Sequence, residues 1–213
     1  MLDKLIFLLL LETFQPSYGT AAVLLPEQIV AEAEIKFSAP TLNTRNAPIK
    51  IGESIGPVIE AKSIYSIDLE TGMPLLTNDI FTRRSLASIS KLMTAMVILD
   101  NYKLDTQVVV GRKPTQQEGS RMWLREGEII TVENLLTGML VNSGNDAATA
   151  LAEFDSGNEK AFTDKMNQKA FDLGLKNTHF SNAKGFDEKG NYSTAFDIMI
   201  FARKALEYPF IKK

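Results

Sequence analysis

The chain reads as an α+β domain, with two N-terminal strands followed by a largely helical region, on three observations. The run from Val58 to Ile67 is rich in β-branched residues and partly alternating, which predicts a strand. Asp68-Leu69-Glu70-Thr71-Gly72 supplies turn chemistry, and Met73 to Ile80 returns as a second strand, closing a β-hairpin. From Ser88 to Leu206 the apolar residues then recur mainly at helical spacing. The 213 residues, 45% hydrophobic and 23% charged, suffice for one globular domain with a leader.

Leu5 to Leu11 is an unbroken apolar run behind Lys4, stopped by Glu12 and too short to span a bilayer. With small residues at Gly19, Ala21 and Ala22, it predicts that residues 1–19 are a signal peptide or a short membrane-targeting segment. The competing reading is a short hydrophobic helix start in a cytoplasmic protein, for which Asp3 and Glu12 speak. Export places the chain outside the cytoplasm, in the cell envelope, and is compatible with peripheral membrane association. Residues 20–55, with Pro26, Pro40 and Pro48 and no sustained period, read as a linker. The folded domain is expected over 56–213.

Within it, Leu92, Met93, Ala95, Met96, Val97, Ile98 and Leu99 occupy nearly the whole circumference of one helix, the pattern of a buried element. Val108-Val109-Val110 and Ile129-Ile130 are short strand-like pieces, separated by the polar loop Gly119 to Leu124 with Trp123 as its bulky anchor. Helices are predicted over Thr131 to Val141, Asp146 to Phe154 and Ala161 to Leu173, the last closed by Gly174. Ser193 or Thr194 caps a final helix towards Leu206.

Composition excludes several chemistries. There is no cysteine, so disulfides, thiolate catalysis and Cys-based zinc sites are ruled out. The single histidine, His179, leaves no His-rich metal cluster, and no cofactor is expected. It lies in the turn-like run Lys176-Asn177-Thr178-His179 and reads as a hydrogen-bonding loop residue rather than a member of a Ser-His-Asp triad. A net charge of −3 gives no electrostatic footprint for nucleic acid.

Two short motifs carry chemistry. Ser88-Ile89-Ser90-Lys91 opens the buried helix, and Ser143-Gly144-Asn145 lies between two later helices. A helix puts Ser88 and Lys91 one turn apart on one face. Its N-terminus turns N–H groups and partial positive charge towards the serine, where an oxyanion would develop. Each motif has a second copy. Ser181-Asn182-Ala183-Lys184 lies among loop residues and is expected to lack enforced geometry; Ser156-Gly157-Asn158 reads as a helix end and turn. Context therefore selects Ser88, Lys91, Ser143 and Asn145 as the candidate catalytic residues. A lysine base must lose its proton: bringing an ordinary value near ~10.4 down to about 7 disfavours the ammonium by ~4–5 kcal/mol. Burial beside Leu92 and Ala95 can supply such a shift. The plainer readings are a solvated lysine at a helix start and an Asn145 that merely caps the next helix.

The stretch from about Ala61 to Leu206 resembles the serine D-alanyl-D-alanine carboxypeptidases, the low-molecular-mass penicillin-binding proteins. The resemblance rests on Ser88 to Ala95, Glu133 to Leu136, Ser143 to Ala148, Gly174 to Phe180 and Tyr192 to Ala195. It implies the penicillin-binding/β-lactamase-like transpeptidase fold. The substrate it implies is a peptidoglycan stem peptide ending in D-Ala-D-Ala, with β-lactams as covalent inhibitors. By the same resemblance Ser88 is the nucleophile, Lys91 its general base, Ser143 a proton relay to the departing amine, and Asn145 the group orienting Lys91 and the substrate amide.

The family's third motif, Lys-Thr-Gly, does not occur in these 213 residues. Lys184-Gly185 and Lys189-Gly190 lack the intervening hydroxyl residue, and Glu70-Thr71-Gly72 lacks the lysine. The fold is thus expected to be incomplete at its C-terminus, with an open sheet edge and part of the buried helix uncovered. On that reading the chain alone is marginally stable and releases no D-alanine, whereas extension through a Lys-Thr-Gly strand restores both. Two rivals remain: a non-enzymatic peptidoglycan- or penicillin-binding relative, and a β-lactamase-like hydrolase, for which the E-x-x-L-N glutamate of class A enzymes is not found.

Overall fold

The computed structural model describes residues 48–52 and 56–213. The predicted leader, 1–19, and most of the predicted linker lie outside these residues. The hairpin forms from β1 (Ile64–Ile67) and β2 (Pro74–Asn78), antiparallel, with Ile64 opposite Asn78 and an irregularity between Ser66 and Ile67. Its turn is built by Asp68, whose carboxylate accepts from the backbone N–H and the hydroxyl of Thr71, while Gly72 takes a φ of +74°. Both strands are shorter than the sequence pattern predicts. Val58 and Ile59 stay exposed before β1, because no partner strand lies opposite them to reward extension.

Two further pairs of short strands staple distant segments. β3 (Arg84–Ser85) pairs with β6 (Tyr192–Ser193), and β4 (Gln107–Val109) pairs with β5 (Ile129–Thr131), both antiparallel. The first of these ties the strand leading into the Ser88 turn to the segment that follows His179.

The helices are α1 (Ser90–Asn101), the single turn α2 (Arg112–Thr115), α3 (Val132–Val141), α4 (Asn145–Ser156), α5 (Glu159–Asp172), α6 (Ala195–Ala205) and the short α7 (Pro209–Lys212). Their ends follow local chemistry. The Thr131 hydroxyl accepts from Asn134 N–H, the Asn158 side chain from Ala161 N–H and the Thr194 hydroxyl from Asp197 N–H, three N-caps of the expected kind. Gly157 and Gly174, both near φ +73°, end α4 and α5. Asp197 is buried at 2% exposure and accepts from Asn177 N–H and Thr178 hydroxyl, so the start of α6 also fixes the turn before His179.

The all-round apolar pattern of α1 has the predicted consequence. Met93, Ala95, Met96 and Ile98 are fully buried, and α3, α4, α5 and α6 all pack against the helix. The expected uncovered side of α1 is not observed, because the neighbouring helices close over it without help from the sheet. The hairpin and its exit also expose apolar side chains, at Leu69, Leu75 and Phe81. There Phe196 of α6 packs between Tyr65, at 5.8 Å, and Phe81, at 5.3 Å.

Leu151, fully buried on α4, should therefore destabilise the chain by about 2–5 kcal/mol on replacement by alanine, read from denaturant unfolding. Val141→Ala, at a position 78% exposed, should stay within about 0.5 kcal/mol of the parent.

Candidate active site

Ser88 lies in a 3₁₀ turn, Ala87–Ile89, that runs directly into α1. Ala87 takes a φ of +45°, a left-handed conformation that a residue with a Cβ adopts at some cost, and Ser90 accommodates it by donating its hydroxyl to Ala87 carbonyl at 3.0 Å. The result is an exposed Ser88 above a buried Lys91. Lys91 Nζ donates to Asn145 Oδ1 at 2.9 Å and to the Lys184 carbonyl at 2.6 Å, and stands 3.4 Å from Ser88 Oγ. A neutral amine has two N–H bonds and one lone pair. Two fixed carbonyl acceptors therefore leave the lone pair for the serine hydroxyl. Burial, and secondarily the Lys184 ammonium, push Lys91 down to about 8 from its ordinary 10.5.

Ser143 precedes α4 at a φ of +54° and donates its hydroxyl to Ser88 Oγ at 2.9 Å. Asn145, first residue of α4, is held on three sides. Its N–H donates to Ser120 carbonyl, its Nδ2 donates to Glu118 carbonyl, and its own carbonyl accepts from Thr149 hydroxyl. The four residues singled out in sequence are thus brought together, from the start of α1 and the α3–α4 connection. Asn145 starts the helix as the plainer reading has it, but its amide is directed to Lys91.

Several contributing residues escaped sequence reasoning. Asp146, 1% exposed, accepts from the backbone N–H groups of Met122, Leu124 and Ala147 and so anchors the 119–124 loop. Trp123 is not that anchor. It is 72% exposed at a φ of +64°, with the Arg121 guanidinium 3.9 Å above its ring, and the buried apolar residue of the loop is Leu124. An aspartate just after Ser-Gly-Asn was the available signal.

The second Ser-x-x-Lys copy needs a correction. It is a loop, but one with enforced geometry: Asn182, Ala183, Lys184 and Gly185 are all buried. Asn182 Oδ1 accepts from Gly185 and Phe186 N–H, Ala183 carbonyl accepts from Thr94 hydroxyl at 2.7 Å, and Lys184 carbonyl accepts from Lys91. Loop composition concealed this, since an Asx turn uses the same residues as a floppy segment. Ser181 Oγ is buried without a hydrogen-bond partner, whereas Ser88 has two. The remaining copy, Ser156-Gly157-Asn158, is a helix end and turn as read, and its Asn158 also caps the next helix. His179 is engaged by Gly190 carbonyl at 2.6 Å and pairs with Tyr192 through its backbone.

The arrangement brings an exposed hydroxyl, a buried amine and a second hydroxyl into contact. The family model of D-alanyl-D-alanine carboxypeptidase matches residues 51–213. The D-alanyl-D-alanine carboxypeptidase DacF of Bacillus subtilis is 41% identical over 159 residues, and DacD of Escherichia coli 37% over 158. These alignments cover 72% and 69% of this chain but 41% of each relative, so the chain spans about two fifths of the length of these curated relatives. Among solved structures, the D-alanyl-D-alanine carboxypeptidase DacD of Francisella tularensis aligns at a TM-score of 0.69 and 36% identity, covering 81% of this chain and 43% of that one. Penicillin binding protein 6B of Escherichia coli aligns at 0.70 and 33%, covering 78% and 55%. The chain belongs to the D-alanyl-D-alanine carboxypeptidase family, and its α+β fold is the penicillin-binding type.

Gly185 offers a test of how tightly the site is packed. At φ +83°, a Cβ there would stand 2.0 Å from Ala87 carbonyl oxygen and 3.0 Å from Ser88 Cα. Gly185→Ala should lower the melting temperature, with a cost of at least about 1–3 kcal/mol, because neither backbone can withdraw without moving Ser88 or releasing Lys91. A melt identical to the parent would show that the two backbones are not held together.

Proposed function

We propose that this chain carries the acylation centre of a serine-type D-Ala-D-Ala carboxypeptidase acting on peptidoglycan stem peptides through an acyl-enzyme intermediate. The observation that supports it most is the run of contacts from Asn145 Oδ1 to Lys91 Nζ, Ser88 Oγ and Ser143 Oγ at 2.9, 3.4 and 2.9 Å. Neutral Lys91 takes the Ser88 proton as Oγ attacks the carbonyl carbon between the two terminal D-alanines. The tetrahedral intermediate collapses with cleavage of the C–N bond, while Ser143 gives its hydroxyl proton to the departing amine and takes back the one held by Lys91, which leaves Lys91 neutral again. Free D-alanine leaves, and the shortened peptide remains as an ester on Ser88. Water, deprotonated by Lys91, then hydrolyses the ester and restores the hydroxyl. General acid–base assistance of this kind contributes about 10²–10⁴-fold. Asn145 orients the amine and the substrate amide, and the strained bond of a β-lactam would acylate the same hydroxyl.

A stem-peptide substrate also requires access to the cell wall. We infer export, in keeping with the apolar run behind Lys4; among the described residues no helix is long and apolar enough to cross a membrane. Fusing residues 1–55 to a reporter active only outside the cytoplasm should give signal in a bacterial host. A silent, stably expressed fusion would refute export by this segment.

Acylation tests the site. A fluorescent penicillin should label the chain covalently, and Ser88→Ala should abolish the label. Lys91→Ala should slow labelling by at least about 10²-fold with a near-parental circular dichroism spectrum. Because the neutral amine is the base, the labelling rate should climb with pH around a midpoint near 8, well below the 10.5 of a solvated lysine. Label that survives Ser88→Ala, or a rate flat between pH 6 and 9, would refute the assignment.

A further inference from the structure

The mechanism leaves unused a charged pair built into the back of the site. Lys184 is buried at 8% exposure, yet its ammonium lies on Glu159, the first residue of α5, at 3.2 Å, and on the Phe186 ring at 5.3 Å. The same Glu159 carboxylate accepts from Ala183 N–H at 3.2 Å. One side chain therefore grips both the charge and the backbone of the loop whose next carbonyl receives Lys91. Burying a second ammonium behind a catalytic amine costs free energy. A neutral residue could present the same carbonyl, so the charge calls for a reason of its own.

We propose that Lys184, held by Glu159, is a positioning residue for Lys91: its carbonyl aims the amine, and its ammonium, paired with Glu159, sets the charge at the back of the site. This rests on the reading of Lys91 as the base. The other groups around Lys91 make the assignment specific. Ser88, Ser143 and Asn145 are uncharged, and the Asp146 carboxylate is consumed by the N–H groups of Met122, Leu124 and Ala147. Glu118 offers the site its carbonyl, through Asn145, and its side chain belongs to an exposed residue. Lys184 is the like charge that lowers Lys91, after burial itself, and Glu159 is the counter-charge that limits this repulsion.

The two members of the pair then act on Lys91 in opposite senses. Lys184→Met removes the like charge and should raise the Lys91 titration midpoint by about one pH unit. Glu159→Gln leaves Lys184 unopposed and should lower it, by about half a unit. Lys184→Arg keeps the charge and should stay near the parent. The readout is the Lys91 side-chain signal in NMR titrations of protein carrying ¹³C-labelled lysine, assigned with Lys91→Arg and independent of turnover. Should either variant fail to fold, Lys184→Gln and the equally uncharged Glu159→Asn serve the same comparison. Midpoints that do not move, or that move in the same direction for both substitutions, overturn the proposal. Penicillin labelling on the same samples separates the two readings. Ser88 labelled at the parental pH midpoint in both variants overturns the pair and leaves the catalytic reading standing. Opposed shifts in a chain that resists acylation at every pH retain the pair and remove the catalytic reading.

Discussion

Everything at the site depends on where one buried amine points, and on the two N–H bonds it keeps once neutral. Lys91 lies inside the helical layer at 3% exposure, and the acceptors that hold it come from segments far apart in sequence, Asn145 from α4 and the Lys184 carbonyl from the 181–186 loop. Removing either acceptor would leave a buried donor unsatisfied, a cost of about 1–3 kcal/mol. α4 and the loop are thus locked to α1 by the same contacts that direct the lone pair. Structural and chemical requirements coincide on one atom, Nζ.

That coincidence accounts for the unusual backbone around it. Ala87 and Ser143 both take positive φ without being glycine, and both abut the nucleophile. Gly185, at positive φ, lets the loop backbone approach Ala87 to a distance no Cβ would allow. Strain of this kind persists only where the surroundings over-determine it. Here the surroundings are the fully buried apolar face of α1 and the Asp146 carboxylate, which fix the two sides of the cleft.

Much of this was legible in the chain because it is local. A helix apolar all round must be buried, a serine three residues before a lysine must share its face, and Thr194 announces a helix start by its side chain. The losses have a common cause: contacts across long separations leave no periodic trace. Lys184 meets Lys91 across 93 residues through a backbone carbonyl, a group every residue possesses. Trp123 was misread because size implies burial only when the backbone turns the ring inward, and at φ +64° it does not. Strand lengths were overestimated at Val58 and Ile59, since β-branched residues fit a strand only if a neighbour is there to pair with.

The depressed affinity of Lys91 for its proton also makes the site a thermodynamic liability. In the unfolded chain the same amine would titrate near 10.5, against about 8 when folded. Between those values the unfolded state binds more protons, so folding stability rises with pH across that window. Below about 8 both states hold the proton, and the folded chain carries the whole penalty for an ammonium it would rather not bury. For this group alone, mild alkali strengthens the fold. A domain of this size has only about 5–15 kcal/mol of stability, and keeping one lysine reactive draws on it.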